Sequence, residues 1–300
     1  MTVERRTLGR TDMRVSVLGF GGSEIGYEQA SPGVVTRLLN AALDAGLNVI
    51  DTAECYVDSE ALIGGAVASR RAECYLFTKC GHPGGFGTDD WRPASLLTSI
   101  QRSLKRLRTD YVDLVQLHSC SEAELLRGDV IVALDQARER GYTRYIGYSG
   151  DGPAARHAIE CGRFDTLQTS VSIADQEALD LTLPLARKRN IGVIAKRPLA
   201  NAAWKTGRKP VSAYHHTYWE RLRKLDYDFI KSDPGASIAT ALRFTLSTPG
   251  VHTAIVGTTK PERWQENAAT LKAGPLPQAA MDRIRKRWKE VAQKNWTGQT

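Results

Sequence analysis

Four side chains suited to moving a proton onto a carbonyl oxygen stand at the ends of three successive apolar runs. In VIDTAECYVDSEALIGG, residues 49–65, the run stops on a carboxylate, Asp51, and a phenol, Tyr56, follows five residues later. CYLFTK (74–79) ends on Lys79, and YVDLVQLH (111–118) ends on His118. Singly, each has a plainer reading: a turn aspartate, a surface tyrosine, a structural lysine or histidine. Together they make a chemical unit. A phenol with a pKa of about 10 is a poor acid at neutral pH, and a nearby ammonium lowers that pKa by favouring the phenolate. A lysine buried at a strand end needs a counter-charge, and Asp51 is the natural partner. A neutral His118 would orient a carbonyl oxygen toward Tyr56. The set supplies no reductant, so a hydride donor is implied.

Such a unit requires elements that bring three strand ends to one rim. Strand-like runs recur along the chain: VSVLGF (15–20), NVID (48–51), CYLFTK, YVDLVQLH, YIGYS (145–149), TLQTSVS (166–172), IGVIAK (191–196) and TAIVGT (253–258). Segments with apolar residues three or four apart lie between them. Ser31-Pro32 reads as an N-cap and first-turn proline, and Gly46 as the glycine that ends that helix. Leu96, Ile100, Leu104 and Leu107 stripe the helix after the third run. About eight strand-then-helix units without a flexible linker predict one closed parallel (β/α)8 barrel over residues 1–300, a single domain. In a barrel of this kind functional groups gather at the C-terminal ends of the strands. RRTLGRTDMRVS predicts an N-terminal β-hairpin that plugs the barrel floor. Residues 200–234 predict a long insertion after the seventh strand. Residues 275–295 predict an extra C-terminal helix with Met281, Ile284, Trp288 and Val291 on one face.

Composition narrows the function classes. Hydrophobic residues make up 42% and charged residues 25% of 300, the balance of a globular protein. Lys and Arg number 41 against 33 acids, a net charge of +8. The basic clusters at 105–108, 187–190 and 283–289 lie on helical spacing and read as solvated faces, so no nucleic-acid partner is expected. The positive field would draw anionic ligands. No apolar run approaches the roughly 18 residues of a membrane span. Five cysteines without a CxxC spacing predict neither a disulfide framework nor a zinc site. With a polar N-terminus, the expected compartment is the cytoplasm.

The ordered pattern Asp51-Thr52-Ala53-x-x-Tyr56-x-x-Ser59-Glu60, FTK at Lys79 and YVDLVQLH at His118 resembles the aldo-keto reductase superfamily. So do LGRTDMRVSVLGFGG and AIVGTTKPERWQEN, and the resemblance runs over about residues 5–270. It implies a (β/α)8 barrel, NADPH held in extended form across the mouth, and reduction of aldehydes or ketones, small-molecule carbonyls. By position, Tyr56 is the acid, with Asp51, Lys79 and His118 completing a tetrad. The same comparison gives the cofactor contacts. Gly21 and Gly22 would let backbone approach the nicotinamide. Ser149 and Gln168 match the carboxamide binders, and Leu199 follows the seventh strand. Gly257, Thr258, Lys260, Arg263, Glu266 and Asn267 match the adenosine end, where a loop enters a helix. Arg263, with Lys260, would face the 2′-phosphate, which favours NADP(H) over NAD. GFGGSE is no Rossmann fingerprint, because Glu24 stands at the third glycine. His118 rather than a carboxylic acid predicts C=O and not C=C reduction.

Two positions depart from the family. Gly150 and Asp151 follow Ser149 where Asn is frequent, and Lys196-Arg197-Pro198-Leu199 replaces Tyr-Ser-Pro-Leu. Arg197 is expected to reach the pyrophosphate rather than stack on the nicotinamide; with Lys196 it hints at acidic substrates. Cys55, Cys80 and Cys120 flank the tetrad and read as packing filler or, with cations nearby, as oxidant-sensitive thiols. The aromatic insertion 213–229, with Tyr27, Phe86, Trp91 and Trp204, either walls a substrate pocket or packs under a loop. Two other functions remain open. One is a non-catalytic NADPH-binding, redox-sensing or channel-associated subunit of the same fold. The other is a different barrel enzyme working through a Lys79 Schiff base.

Overall fold

A computed structural model of the chain describes residues 3–231 and 233–299. A hairpin comes first: β1 (Arg5–Thr7) pairs antiparallel with β2 (Arg14–Ser16). Eight parallel strands then close a barrel: β3 (Leu18–Gly21), β4 (Val49–Asp51), β5 (Tyr75–Cys80), β6 (Val112–His118), β7 (Thr143–Ser149), β8 (Thr166–Ser170), β9 (Gly192–Lys196) and β10 (Thr253–Gly257). They pair in chain order, and β10 returns to β3. The predicted strand 15–20 divides at Val17. Val15 and Ser16 pair with β1, and only the segment from Leu18 enters the barrel.

The hairpin closes the floor. Its Leu8, Met13 and Val15 pack with Val49, Phe77, Leu114, Ile194 and Ile255 of β4, β5, β6, β9 and β10. Gly9, at φ +55°, lies so close to the backbone at the start of β9 that a Cβ would run into the Gly192 nitrogen. Ser16 N donates to the Asn48 side chain at 2.6 Å, and that amide donates to the Arg14 carbonyl at 2.8 Å, tying the hairpin to the start of β4.

Outside the barrel, the helix Pro32–Asp44 begins at Ser31, whose hydroxyl accepts from Val34 N, and ends before Gly46 at φ +105°. Leu96, Ile100, Leu104 and Leu107 of Pro93–Leu107 are all buried against the barrel. A second apolar cluster joins the insertion to the C-terminal helix Gln278–Val291: it holds Trp204, Tyr218, Leu222 and Tyr227 of the insertion, Phe244 of the helix Pro234–Ser247, and Met281, Ile284 and Trp288. Much of the insertion's aromatic content is therefore packing; residue 232 lies outside the described segment. The chain end folds back, and Trp296 packs on Trp288 with ring centres 5.4 Å apart. Among the described residues no helix is long and apolar enough to cross a membrane.

Strand register assembles the mouth. Gly21 pairs with Asp51, Lys79 with Gln116, His118 with Ser149, and Ser149 with Gln168. Residues distant in sequence thus become lateral neighbours at the C-terminal rim, where such barrels carry their chemistry.

Candidate active site

Lys79 and Asp51 form the centre. Lys79 Nζ donates to Asp51 Oδ2 at 2.5 Å and to the Thr52 carbonyl at 2.7 Å. Their side chains are 0% and 2% exposed, so the charges neutralise each other without water. The other oxygen, Asp51 Oδ1, accepts from Gln168 Nε2 at 2.9 Å and Gln116 Nε2 at 3.3 Å. Above this pair lies the half-buried Tyr56 ring, its centre 5.1 Å from Lys79 Nζ. His118 meets that ring edge-on at 5.7 Å and 81°. The structure thus brings all four side chains into one cluster.

The electrostatics differ in one respect from the sequence reading. Burial pushes the Tyr56 phenol well above its ordinary value, Asp51, Cys55 and Tyr214 add to the rise, and Arg197 pulls the other way. The expected lowering by the Lys79 ammonium does not prevail, because Asp51 offsets that charge at contact distance. The resting phenol is protonated, the form a proton donor needs. Burial, then the charges of Lys79, His82, Lys196 and Arg197, hold His118 well below the usual imidazole range, so its ring is neutral as anticipated. Burial raises Asp51, while Lys79, Gln168 and Gln116 oppose the rise.

Around His118 lies a layer of which sequence reasoning named Phe86 and Cys55 but gave no role to His82 and Glu54. His82 Nε2 donates to the His118 carbonyl at 2.6 Å, and His82 Nδ1 meets Asp89 Oδ1 at 2.8 Å. Phe86 packs edge-on to His118 at 4.8 Å. The loop that carries them is anchored by Glu54, whose Oε1 accepts from Gly81 N and His82 N at 2.8 and 2.9 Å. Glu54 Oε2 accepts from Arg102 at 2.7 Å and from Ser99. Cys55 Sγ lies 3.4 Å from His118 Nδ1. Gln116 was legible only through alternation: two residues before His118, it shares that side of β6. No local signal marked His82 or Glu54.

The cofactor positions from the family comparison surround the cluster. Ser149 Oγ donates to Gln168 Oε1 at 3.1 Å, which joins both residues to Asp51. A Cβ on Gly21 would meet only ordinary contacts, whereas on Gly22 it would fall 2.7 Å from Ser59 Oγ; the protein's own packing explains the second glycine. Thr258 Oγ1 accepts from Lys260 N at 3.0 Å. Arg263 begins the helix Arg263–Thr270, pairs with Glu266 at 2.7 Å and stays half-buried; Asn267 is buried. Glu24 lies against Gly257, leaving no room for a Cβ there.

The two departures from the family compensate each other. Lys196 Nζ pairs with Asp151 Oδ2 at 2.8 Å, and both side chains are nearly buried. Asp151 also accepts from Ser170 N and Thr169 Oγ1, both at 2.7 Å. Arg197 does not extend into the mouth as a free cation. Its Nε donates to Tyr214 OH at 3.0 Å, and its Nη1 donates to the Gln299 carbonyl. Beyond it, Ala200, Asn201 and Ala202 have φ of +44°, +53° and +48°, a left-handed turn without glycine, as costly loops at binding sites often are. Half-buried Leu199 opens that turn.

The residues fit an extended dinucleotide on two counts. The Asn201 side-chain amide, at the left-handed turn, and the Gln265 side-chain carbonyl, in the helix opened by Arg263, are buried donors and acceptors without protein partners. They lie at the turn that follows Arg197 and in the helix opened by Arg263, beside residues the family comparison places at the pyrophosphate and the adenosine end.

The thiols are not activated. Burial pushes Cys55 up to about 12 and raises Cys80 and Cys120 as well, which favours the packing reading of these thiols over the oxidant-sensitive one. Tyr27, Phe86 and Tyr214 remain exposed; Tyr27 and Phe86 contact Tyr56 and His118, and Tyr214 contacts Arg197.

Comparison with known proteins agrees with this architecture. The family model described as the aldo/keto reductase family matches residues 17–289. The uncharacterized oxidoreductase YqkF of Bacillus subtilis is 26% identical over 96% of this chain and 97% of its own length. The L-galactose dehydrogenase of Arabidopsis thaliana is 27% identical over 90% of this chain and 88% of its own. The holo form of the aldo-keto reductase AKR11C1 from Bacillus halodurans superposes with a TM-score of 0.83 at 25% identity, over 98% of this chain and 99% of that one.

Proposed function

Because this chain belongs to the aldo/keto reductase family, we propose that it is an oxidoreductase that reduces an aldehyde or ketone to an alcohol, with residues 1–300 as one catalytic domain. NADPH, when bound, supplies the hydride. Arg263 and Lys260 would hold its 2′-phosphate, Asn201 its pyrophosphate, and Ser149 and Gln168 its carboxamide.

The observation that carries this reading is the water-free Asp51–Lys79 pair beneath a protonated Tyr56, with a neutral imidazole edge-on to the phenol. Tyr56 donates its proton to the carbonyl oxygen as negative charge grows there. Lys79, held by Asp51, then stabilises the phenolate that remains. His118 donates a hydrogen bond to the same oxygen and fixes its direction. Burial keeps water from the Asp51–Lys79 pair beneath them.

The test is NADPH consumption with 4-nitrobenzaldehyde by the native protein and by Tyr56→Phe. Loss of about 10²–10⁴ in rate is expected for the variant. Equal rates would sink the assignment of the acid. NADPH binding without turnover in the native protein would favour the non-catalytic subunit, and a borohydride-trapped adduct on Lys79 would favour Schiff-base chemistry.

A further inference from the structure

We infer that Cys55 is a positioning residue: its thiol hydrogen bonds His118 Nδ1 and thereby fixes the imidazole tautomer whose Nε2–H faces the substrate oxygen. The inference deepens the proposed reduction and rests on it.

A neutral imidazole donates at one nitrogen and accepts at the other. It carries one N–H, and the partner of one nitrogen decides where that proton sits. Cys55 Sγ is 3.4 Å from Nδ1, within reach of a sulfur donor. Burial holds the thiol protonated, raised to about 12, and holds the ring neutral. A protonated thiol beside a neutral ring donates; a thioether-like acceptor role would be weaker. Nδ1 is then the acceptor, and the single ring proton belongs to Nε2. In the opposite tautomer Nε2 would present a lone pair to the carbonyl oxygen, and the two would repel.

Other contacts fix the ring without choosing its tautomer. His82 binds the His118 main-chain carbonyl, not the ring, and its ring lies 5.3 Å away. Phe86 and Tyr56 meet the imidazole edge-on. Cys55 itself is placed by sequence: it precedes Tyr56, and its carbonyl accepts from Tyr27 OH at 3.3 Å. One loop therefore delivers both the acid and the group that orients the second donor.

The experiment compares Cys55→Ala and Cys55→Ser, full length, with [15N]histidine labelling; a His118→Asn sample assigns the resonances. The native ring and the serine variant should show a protonated Nε2 and a bare Nδ1. The alanine variant should show a mixed population, with kcat lowered about tenfold, the worth of one hydrogen bond, and an unchanged NADPH dissociation constant. Serine should restore most of the rate. A native ring protonated at Nδ1 overturns the inference, and so does an alanine variant with unaltered His118 signals. Should the native protein reduce no carbonyl, the proposed function fails while the nitrogen signals still decide the tautomer.

Discussion

Lys79 Nζ and Asp51 Oδ2 meet at 2.5 Å where neither side chain reaches water. Removing either partner strands the other as a buried charge, which costs about 3–5 kcal/mol. Asp51→Asn and Lys79→Met should each lower stability by about that amount. The double variant should lose less than the sum, because no uncompensated charge remains. All three should lose reductase activity. Urea unfolding read as a double-mutant cycle checks this; strictly additive losses would show that the pair is not coupled.

His118 makes stability depend on pH in a defined sense. Its folded value lies well below the ordinary 6.5, so the unfolded chain binds the proton first. The stabilisation is complete above 6.5 and is lost as pH falls below it, with a limiting slope of about 1.4 kcal/mol per pH unit. His118→Gln should remove that slope. The difference between native and variant unfolding free energies, measured from pH 7.5 to 5, isolates it from the other histidines. A difference that does not change with pH would contradict the neutral ring.

The cysteines give a prediction opposite to oxidant sensing. Cys55, Cys74, Cys80 and Cys120 are buried, and Cys161 is half-buried on the barrel's outside. Iodoacetamide at pH 7.5 should label the folded protein at Cys161 alone, and all five thiols after denaturation. Intact-mass measurement and peptide mapping read the outcome. Rapid labelling of Cys55 or Cys80 would mean the rim opens far more than the structure shows.

The tail should be structural as well as local to the mouth. Trp296 is 8% exposed, packs on Trp288, and receives the Arg221 guanidinium 5.3 Å above its ring. Arg221 also donates to the Thr297 carbonyl at 2.7 Å. Trp296→Ala should cost about 3 kcal/mol and expose the last residues to carboxypeptidase. Unchanged unfolding and digestion would show that the tail adds nothing to the fold.

The barrel was readable because most strands are short apolar runs between helical segments. The cluster of Asp51, Tyr56, Lys79 and His118 was readable because Asp51, Lys79 and His118 all fall at strand ends. What sequence could not supply was the balance of opposing forces. Lys79 near Tyr56 suggested a lowered phenol, but only coordinates show Asp51 cancelling that charge while burial dominates. Arg197 suggested a reach toward phosphate, but its partners come from Tyr214 and a tail about a hundred residues later. Asp151 and Lys196 looked like separate anomalies because a pairing across β7–β9 leaves no mark in local spacing. The aromatic insertion could be divided into packing and rim only once burial was known.

The sealed floor has a kinetic corollary. Leu8, Met13 and Val15 stop the lower end of the cylinder, so among the described residues the site faces outward at the rim. If one ligand seats near Asp51 and another at the rim, the deeper one is expected to enter first and leave last. Such a queue would follow from the vessel's shape rather than from the identity of what it holds.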